Sequence, residues 1–226
     1  DTVDFNGEVS VSIYDKLQTL TTRDNDEPNP DNKQFYMFSD YPNILFSGNV
    51  EATKGLFTIT FRMPKDIRYN TGAGRIILYA KGEVSNTPAE AMGHNEQFMV
   101  GGASPLTIDD NRGPDIQLYL NTPLFSNGDC VNSTPHFYAT LYDENGINTA
   151  GSGIGHDLQL IVDNSKKQTY ILNSFYTSER NSYQRGFVSY IMPELTNGSH
   201  TLSFRAWDML NNASTQTLSF SVDSAM

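Results

Sequence analysis

Residues 9–14 read Val9-Ser10-Val11-Ser12-Ile13-Tyr14. Apolar side chains fall at every second position, so a strand here puts Val9, Val11 and Ile13 on one face and the serines on the other. The same period recurs along the chain. Phe57, Ile59 and Phe61 alternate with Thr58, Thr60 and Arg62, until Pro64, with no N–H for a ladder, stops the run. Arg75-Ile76-Ile77-Leu78-Tyr79-Ala80 is denser and reads as a strand buried on both faces or central in its sheet. Further on, Ile116, Leu118 and Leu120 share a face, as do Phe137, Ala139 and Leu141, then Leu158, Leu160 and Val162, then Leu202, Phe204 and Ala206, and last Leu218, Phe220 and Val222. Helical spacing of apolar residues is nearly absent. Short alternating runs between Gly, Pro, Asn and Asp clusters predict an all-β chain of antiparallel sandwiches. Gly101-Gly102-Ala103-Ser104-Pro105 and Asp109-Asp110-Asn111-Arg112-Gly113-Pro114 break the pattern, so the expected units are residues 1–106 and 107–226.

Composition narrows the function classes. The 226 residues are 38% hydrophobic and 12% aromatic, enough for sizeable cores. Fifteen Lys and Arg stand against 26 Asp and Glu, a formal net charge of -11, which disfavours nucleic acid and anionic membrane surfaces. No apolar run of about 18 residues is present, so no membrane-spanning helix is expected. The start at Asp1 has neither a basic nor an apolar leader region, and the chain reads as a segment of a larger protein.

Chemistry-bearing residues are few. Cys130 is the sole thiol, and neighbouring Asp129 opposes its ionisation; His94, His136, His156 and His200 are scattered. Gly151-Ser152-Gly153-Ile154-Gly155-His156 has the glycines of a phosphate loop but precedes a period-2 run, not a helix, so it reads as a tight connection. Asp109, Asp110 and Asp115 at the expected joint form a candidate calcium site, and Asp24, Asp26, Glu27 and Asp31 crowd a long loop; Asp in turns also forms Asx hydrogen bonds with no metal present. Phe35, Tyr36, Phe38, Tyr41 and Trp207 are strand or core residues, or, if exposed together, a sugar-stacking platform. Asn132, Asn197 and Asn212 fit the Asn-X-Ser/Thr pattern, which Asn- and Ser-rich loops also produce by chance.

Asp143-Glu144-Asn145-Gly146-Ile147-Asn148 through Val162-Asp163, together with Gly198-Ser199-His200-Thr201-Leu202 and Ala206-Trp207-Asp208-Met209-Leu210-Asn211-Asn212, resembles the C-terminal β-domains of the PorU-type sortases. These are gingipain-like cysteine peptidases of the type IX secretion system in the Bacteroidetes. Tyr14-Asp15-Lys16, Phe61-Arg62-Met63-Pro64-Lys65-Asp66-Ile67 and Phe98-Met99-Val100-Gly101-Gly102 extend the likeness into the first half. The resemblance implies two tandem antiparallel β-sandwiches, the second immunoglobulin-like. It implies a cell-envelope location at the outer membrane or cell surface, and a parent that removes C-terminal sorting domains from cargo. Its Cys–His dyad belongs to an upstream peptidase domain and no stretch here matches it, so this segment is expected to carry no catalytic residue and no cofactor beyond calcium. Expected partners are that peptidase domain, secretion-system proteins or cargo, with Asp143, Asn145, Gly153 and His156 marking a docking or packing loop. The alternative is an adhesin-like or carbohydrate-binding pair of sandwiches.

Overall fold

The structure, a computed structural model, describes residues 4–26, 29–65, 67, 70–102, 108–149 and 156–225. Among them there is no α-helix. No helix of the described residues is long and apolar enough to cross a membrane.

The first half is built on one antiparallel sheet. β1 (Phe5–Tyr14) lies between β4 (Ile44–Ala52) and β6 (Arg75–Val84), and β7 (Thr87–Asn95) pairs with β6 at the far edge. The register carries the sequence pattern straight into the core, with Val9 opposite Val50 and Ala80, and Ile13 opposite Phe46 and Ile76. Val9, Val11 and Ile13 are all buried. Two small ribbons complete this half: β2 (Gln18–Thr21) with β3 (Met37–Asp40), and β5 (Gly72–Ala73) with β8 (Met99–Val100).

The Phe57–Phe61 alternation is not a strand. Ile59 and Phe61 still pack on the core, and Phe61 stacks on Phe46 with ring centroids 5.3 Å apart. Beyond one bridge between Thr53 and Leu56, this stretch pairs with no neighbour among the described residues. Alternation sets which side chains face inward, but a ladder also needs a partner backbone alongside.

The second half is a two-sheet sandwich. β14 (Tyr176–Ser178), β15 (Arg185–Ile191), β11 (His136–Tyr142) and β9 (Asp115–Leu120) form one sheet. β10 (Cys130–Val131), β17 (Ala213–Val222), β16 (Gly198–Trp207), β12 (Gln159–Val162) and β13 (Thr169–Ile171) form the other. This strand order, with β10 running parallel to β17, is the immunoglobulin arrangement. Phe137 and Phe204, both without solvent exposure, meet across the sheets at 5.3 Å.

Two separate buried clusters result, one drawn from Val9–Val100 and one from Ile116–Val222. The boundary expected at residues 106–107 falls within 103–107, outside the described residues. The halves touch along β4. Asn181 donates its backbone N–H to the Asn49 carbonyl at 2.9 Å, and its Oδ1 accepts the Glu51 N–H at 2.9 Å. Arg180 pairs with Glu8 at 2.8 Å. A Cβ on Gly48 would collide with Ser178 Oγ, so glycine is what lets β14 approach β4 so closely. An otherwise open sheet edge is thereby covered.

Candidate functional site

Three connections converge beside the joint: the segment before β9, the β11–β12 loop and the β16–β17 hairpin. Local turn chemistry shapes each. Asp143 Oδ1 accepts the backbone N–H groups of Asn145, at 2.7 Å, and Gly146, at 3.1 Å, forming an Asx turn. Gly146 has φ +97, and a Cβ there would press into the Tyr183 ring at 2.7 Å, so the turn requires glycine. Asp208 Oδ1 accepts from the backbone of Leu210, at 2.9 Å, and Asn212, at 2.6 Å, closing the hairpin.

Backbone bonds then stitch the connections together. Asn148 N–H donates to the Trp207 carbonyl at 2.8 Å, Met209 N–H to the Gly146 carbonyl at 3.0 Å, and Lys65 N–H of the first half to the Met209 carbonyl at 2.9 Å. Asn212 Nδ2 donates to Asp208 Oδ2 at 2.8 Å and to the Asp110 carbonyl at 3.1 Å. Asn145 Nδ2 donates to Asp110 Oδ2.

These bonds bring Asp110, Asp143 and Asp208 together, one carboxylate oxygen from each lying within 4.8 Å of the others. Asp208 is 0% exposed and Asp143 7%. Burial pushes the Asp143 carboxyl up to about 6, and the negative charges of Asp208 and Asp110 add to the rise; the Asn145 and Gly146 N–H groups oppose it. No Lys, Arg or His pairs with any of the three among the described residues. The chemistry this arrangement offers is an oxygen-rich, anionic pocket suited to a hard cation.

The geometry selects a different set from the Asp109, Asp110 and Asp115 grouping. Asp115 opens β9, where it pairs with Tyr142 and is exposed. Asp109 is exposed and accepts from Asn111 Nδ2 at 3.3 Å. Only Asp110 joins the cluster, and its companions come from loops tens of residues away. Of the expected loop residues, Asp143 and Asn145 are buried within the cluster. His156 lies against Trp207, ring centroids 4.3 Å apart, and Gly153 lies outside the described residues. No local pattern marks Asp208 as a ligand candidate, because it lies in the β16–β17 hairpin turn, far in sequence from Asp110 and Asp143.

The remaining candidates are dispersed. Cys130 is exposed on β10 opposite Ser221. His136 Nε2 shares a 2.8 Å hydrogen bond with Ser189 Oγ, and His94 is exposed on β7. His200 is clasped, with Nδ1 2.7 Å from Asp163 Oδ2 and Nε2 2.7 Å from the Thr196 carbonyl. Both partners only accept, so the ring satisfies them together as an imidazolium. The Thr196 carbonyl and Asp163 raise its proton affinity above the usual value, although burial opposes them. Phe35, Tyr36 and Phe38 are exposed on or beside β3, whereas Tyr41 is buried beneath Arg75, 4.1 Å from the guanidinium to the ring centroid.

No family model matches the chain, and no curated protein matches it. Among solved structures, it is similar to dimeric latent PorU from Porphyromonas gingivalis, with 36% identity and a TM-score of 0.52. That likeness covers 98% of this chain and 20% of the PorU chain, so the chain spans about a fifth of that protein's length. The fold is PorU-like.

Proposed function

We propose that the chain is a non-catalytic accessory β-module of a PorU-related cysteine peptidase of the type IX secretion system, held in the cell envelope at the outer membrane or cell surface. The observation carrying this reading is the 36% identity extending over 98% of the chain while occupying a fifth of PorU. The module braces the peptidase domain or presents a surface to secretion partners and cargo. Bracing is favoured over docking by the described ends of the Asp143–His156 loop, since Asp143, Asn145 and His156 are all engaged inside the molecule.

Two experiments test the reading. In the first, the 226-residue chain is assayed alone for hydrolysis of peptides spanning a cargo sorting-domain junction, with and without Cys130→Ser. No turnover is expected; turnover abolished by Cys130→Ser overturns the accessory role. In the second, the full parent protein is compared with a version lacking residues 1–226. Bracing requires the peptidase domain of the shortened protein to melt earlier, and unchanged melting with unchanged cargo processing overturns it.

Exposed Phe35, Tyr36 and Phe38 give the carbohydrate-binding reading its one supporting observation, because stacked sugars need accessible rings. A glycan array with no hits removes it.

A further inference from the structure

We propose that the joint between the two halves binds one internal water, hydrogen-bonded to the hydroxyls of Tyr176 and Ser178 on β14. The site stands on its own geometry and holds whether or not the parent is a peptidase.

Where β14 approaches β4, the packing leaves a cavity of about 10 Å³, counted as the room open to a water's centre. Leu45 and Phe46 of β4 wall it from the first half. Ile147 of the β11–β12 loop and Met209 of the β16–β17 hairpin wall it from the second. Tyr176 and Ser178 line the same cavity. They stand two positions apart on β14, so both side chains leave the strand on one face. Ser178 takes that face up to β4, its Oγ filling the space a Cβ on Gly48 would need.

Size and charge select the occupant. A water needs at least about 10–15 Å³ for its centre, so the cavity takes one water and no more. It falls far below the about 300–1,000 Å³ of a small-molecule site. Its described lining holds no Asp, Glu, His, Lys or Arg, which leaves a metal ion or a charged group without a counter-charge.

The two hydroxyls call for a partner. Ser178 is 5% exposed, the Tyr176 hydroxyl oxygen is sealed from solvent, and neither oxygen meets a hydrogen-bond partner in the protein. They do not satisfy each other, because each is held against a different neighbour. The Tyr176 ring lies back over Gly186 of β15, whereas Ser178 Oγ faces Gly48 of β4. Burial and the charge of Glu179 push the Tyr176 phenol above its ordinary pKa, so it keeps its proton and remains a donor. Buried hydroxyls are nearly always bonded, and the cavities that stay dry are apolar ones. One water satisfies both groups, accepting the Tyr176 O–H and donating to Ser178 Oγ. Ser47 of β4 and Thr149 of the β11–β12 loop also line the cavity, which gives the water polar neighbours in both halves.

The place of the site gives the water its role. Because the walls come from both halves, the water is enclosed only while they are docked, and it pins a contact that is otherwise apolar.

The sign of two substitutions tests this. Tyr176→Phe and Ser178→Ala each remove one hydroxyl and keep the rest of the packing. With a bridging water, each lowers the thermal midpoint of the 226-residue chain by about 2–4 °C, since a satisfied bond is lost. The double variant should fall by less than the sum of the two, because both act through one water. In a dry cavity each hydroxyl is an unsatisfied group, and removing it raises the midpoint. A raised midpoint in either variant, or falls that simply add, overturns the proposal. Crystallography of the unaltered chain reads the site directly. One solvent oxygen within about 2.5–3.2 Å of both Tyr176 Oη and Ser178 Oγ is expected. An empty cavity, or the two hydroxyls bonded to each other, overturns it.

Discussion

The two halves of this molecule solve the same packing problem unequally. In the second, two sheets close face to face over 20 buried hydrophobic residues, among the described residues, and Phe137 and Phe204 are sealed from solvent. In the first, nine such residues are covered by one sheet, two small ribbons and an unpaired stretch. Its core also thins across the sheet. The row Gly48–Val11–Leu78–Gly93 runs from the covered edge at β4 to the exposed one at β7, where the core-side residues are small. A sheet with one half-covered face buries less apolar area per ordered residue, and burial is the dominant favourable term. The first half therefore leans on the second through β4, whereas the second is complete in itself.

The sharpest way to break this comparison is Phe204→Ala. Removing a fully buried ring should cost about 3–5 kcal/mol. Denaturant unfolding followed by Trp207 fluorescence reads the second half, and hydrogen exchange of the β1 amides reads the first. Both should weaken together if the first depends on the second. Protection of β1 that stays unchanged would show two independent units.

Gly48→Val tests the dependence from the other side. Forcing a branched side chain against Ser178 should cost roughly 1–3 kcal/mol. The loss should appear in β1 and β4 exchange, with the Trp207 transition nearly unmoved. A matching fall in the Trp207 transition would contradict the asymmetry.

The His200 clasp sharpens the picture within the second half alone. His200 has a raised proton affinity when folded, so its stabilisation is fully present below its ordinary unfolded value and is lost as pH rises through the higher folded value. For Asp163, backbone and side-chain bonds from Thr201 together with His200 outweigh burial and lower its value. Its share is therefore present above the ordinary carboxylate range and is lost as pH falls through the lower folded value. Between these limits the pair holds the β12–β13 turn against β16. The Trp207 transition should decline as pH rises from the ordinary imidazole value through the higher folded one, and His200→Gln should flatten that decline. An identical slope in the variant would remove the clasp.

Smallest of all is the Arg180–Glu8 pair across the joint, exposed on both sides and worth about 0–1 kcal/mol. Glu8→Gln should change the first half's stability by no more than that, and the difference should vanish in high salt. A larger, salt-insensitive loss would mean the joint rests on charge and not on the fit around Gly48.

Much of this architecture was legible in the sequence because a strand's period of two is a local property. Val9, Val11 and Ile13 are buried as the alternation implies, and so are Phe137, Ala139 and Leu141, Leu158, Leu160 and Val162, and Leu218, Phe220 and Val222. The same rule placed Ile59 and Phe61 against the core but overreached in predicting a strand, since pairing depends on a neighbour the local pattern does not contain. The carboxylate cluster was legible only in fragments. Asp110 looked like a ligand because it sits among other acids, yet Asp109 and Asp115, equally acidic and adjacent, stand apart from it. Asp143 lies in a long loop and Asp208 in a hairpin turn, and neither local pattern ties one to the other.

By itself, then, the amino-acid order determined which side chains face inward, where turns break the strands, and that the chain is all β. Those outcomes follow from backbone geometry over a few residues. Only the tertiary structure decided that β14 covers the edge of β4, and that Asp110, Asp143 and Asp208 share one pocket. Contacts between residues far apart in the chain depend on how whole sheets stack and on where their connecting loops then meet, and no local period encodes that.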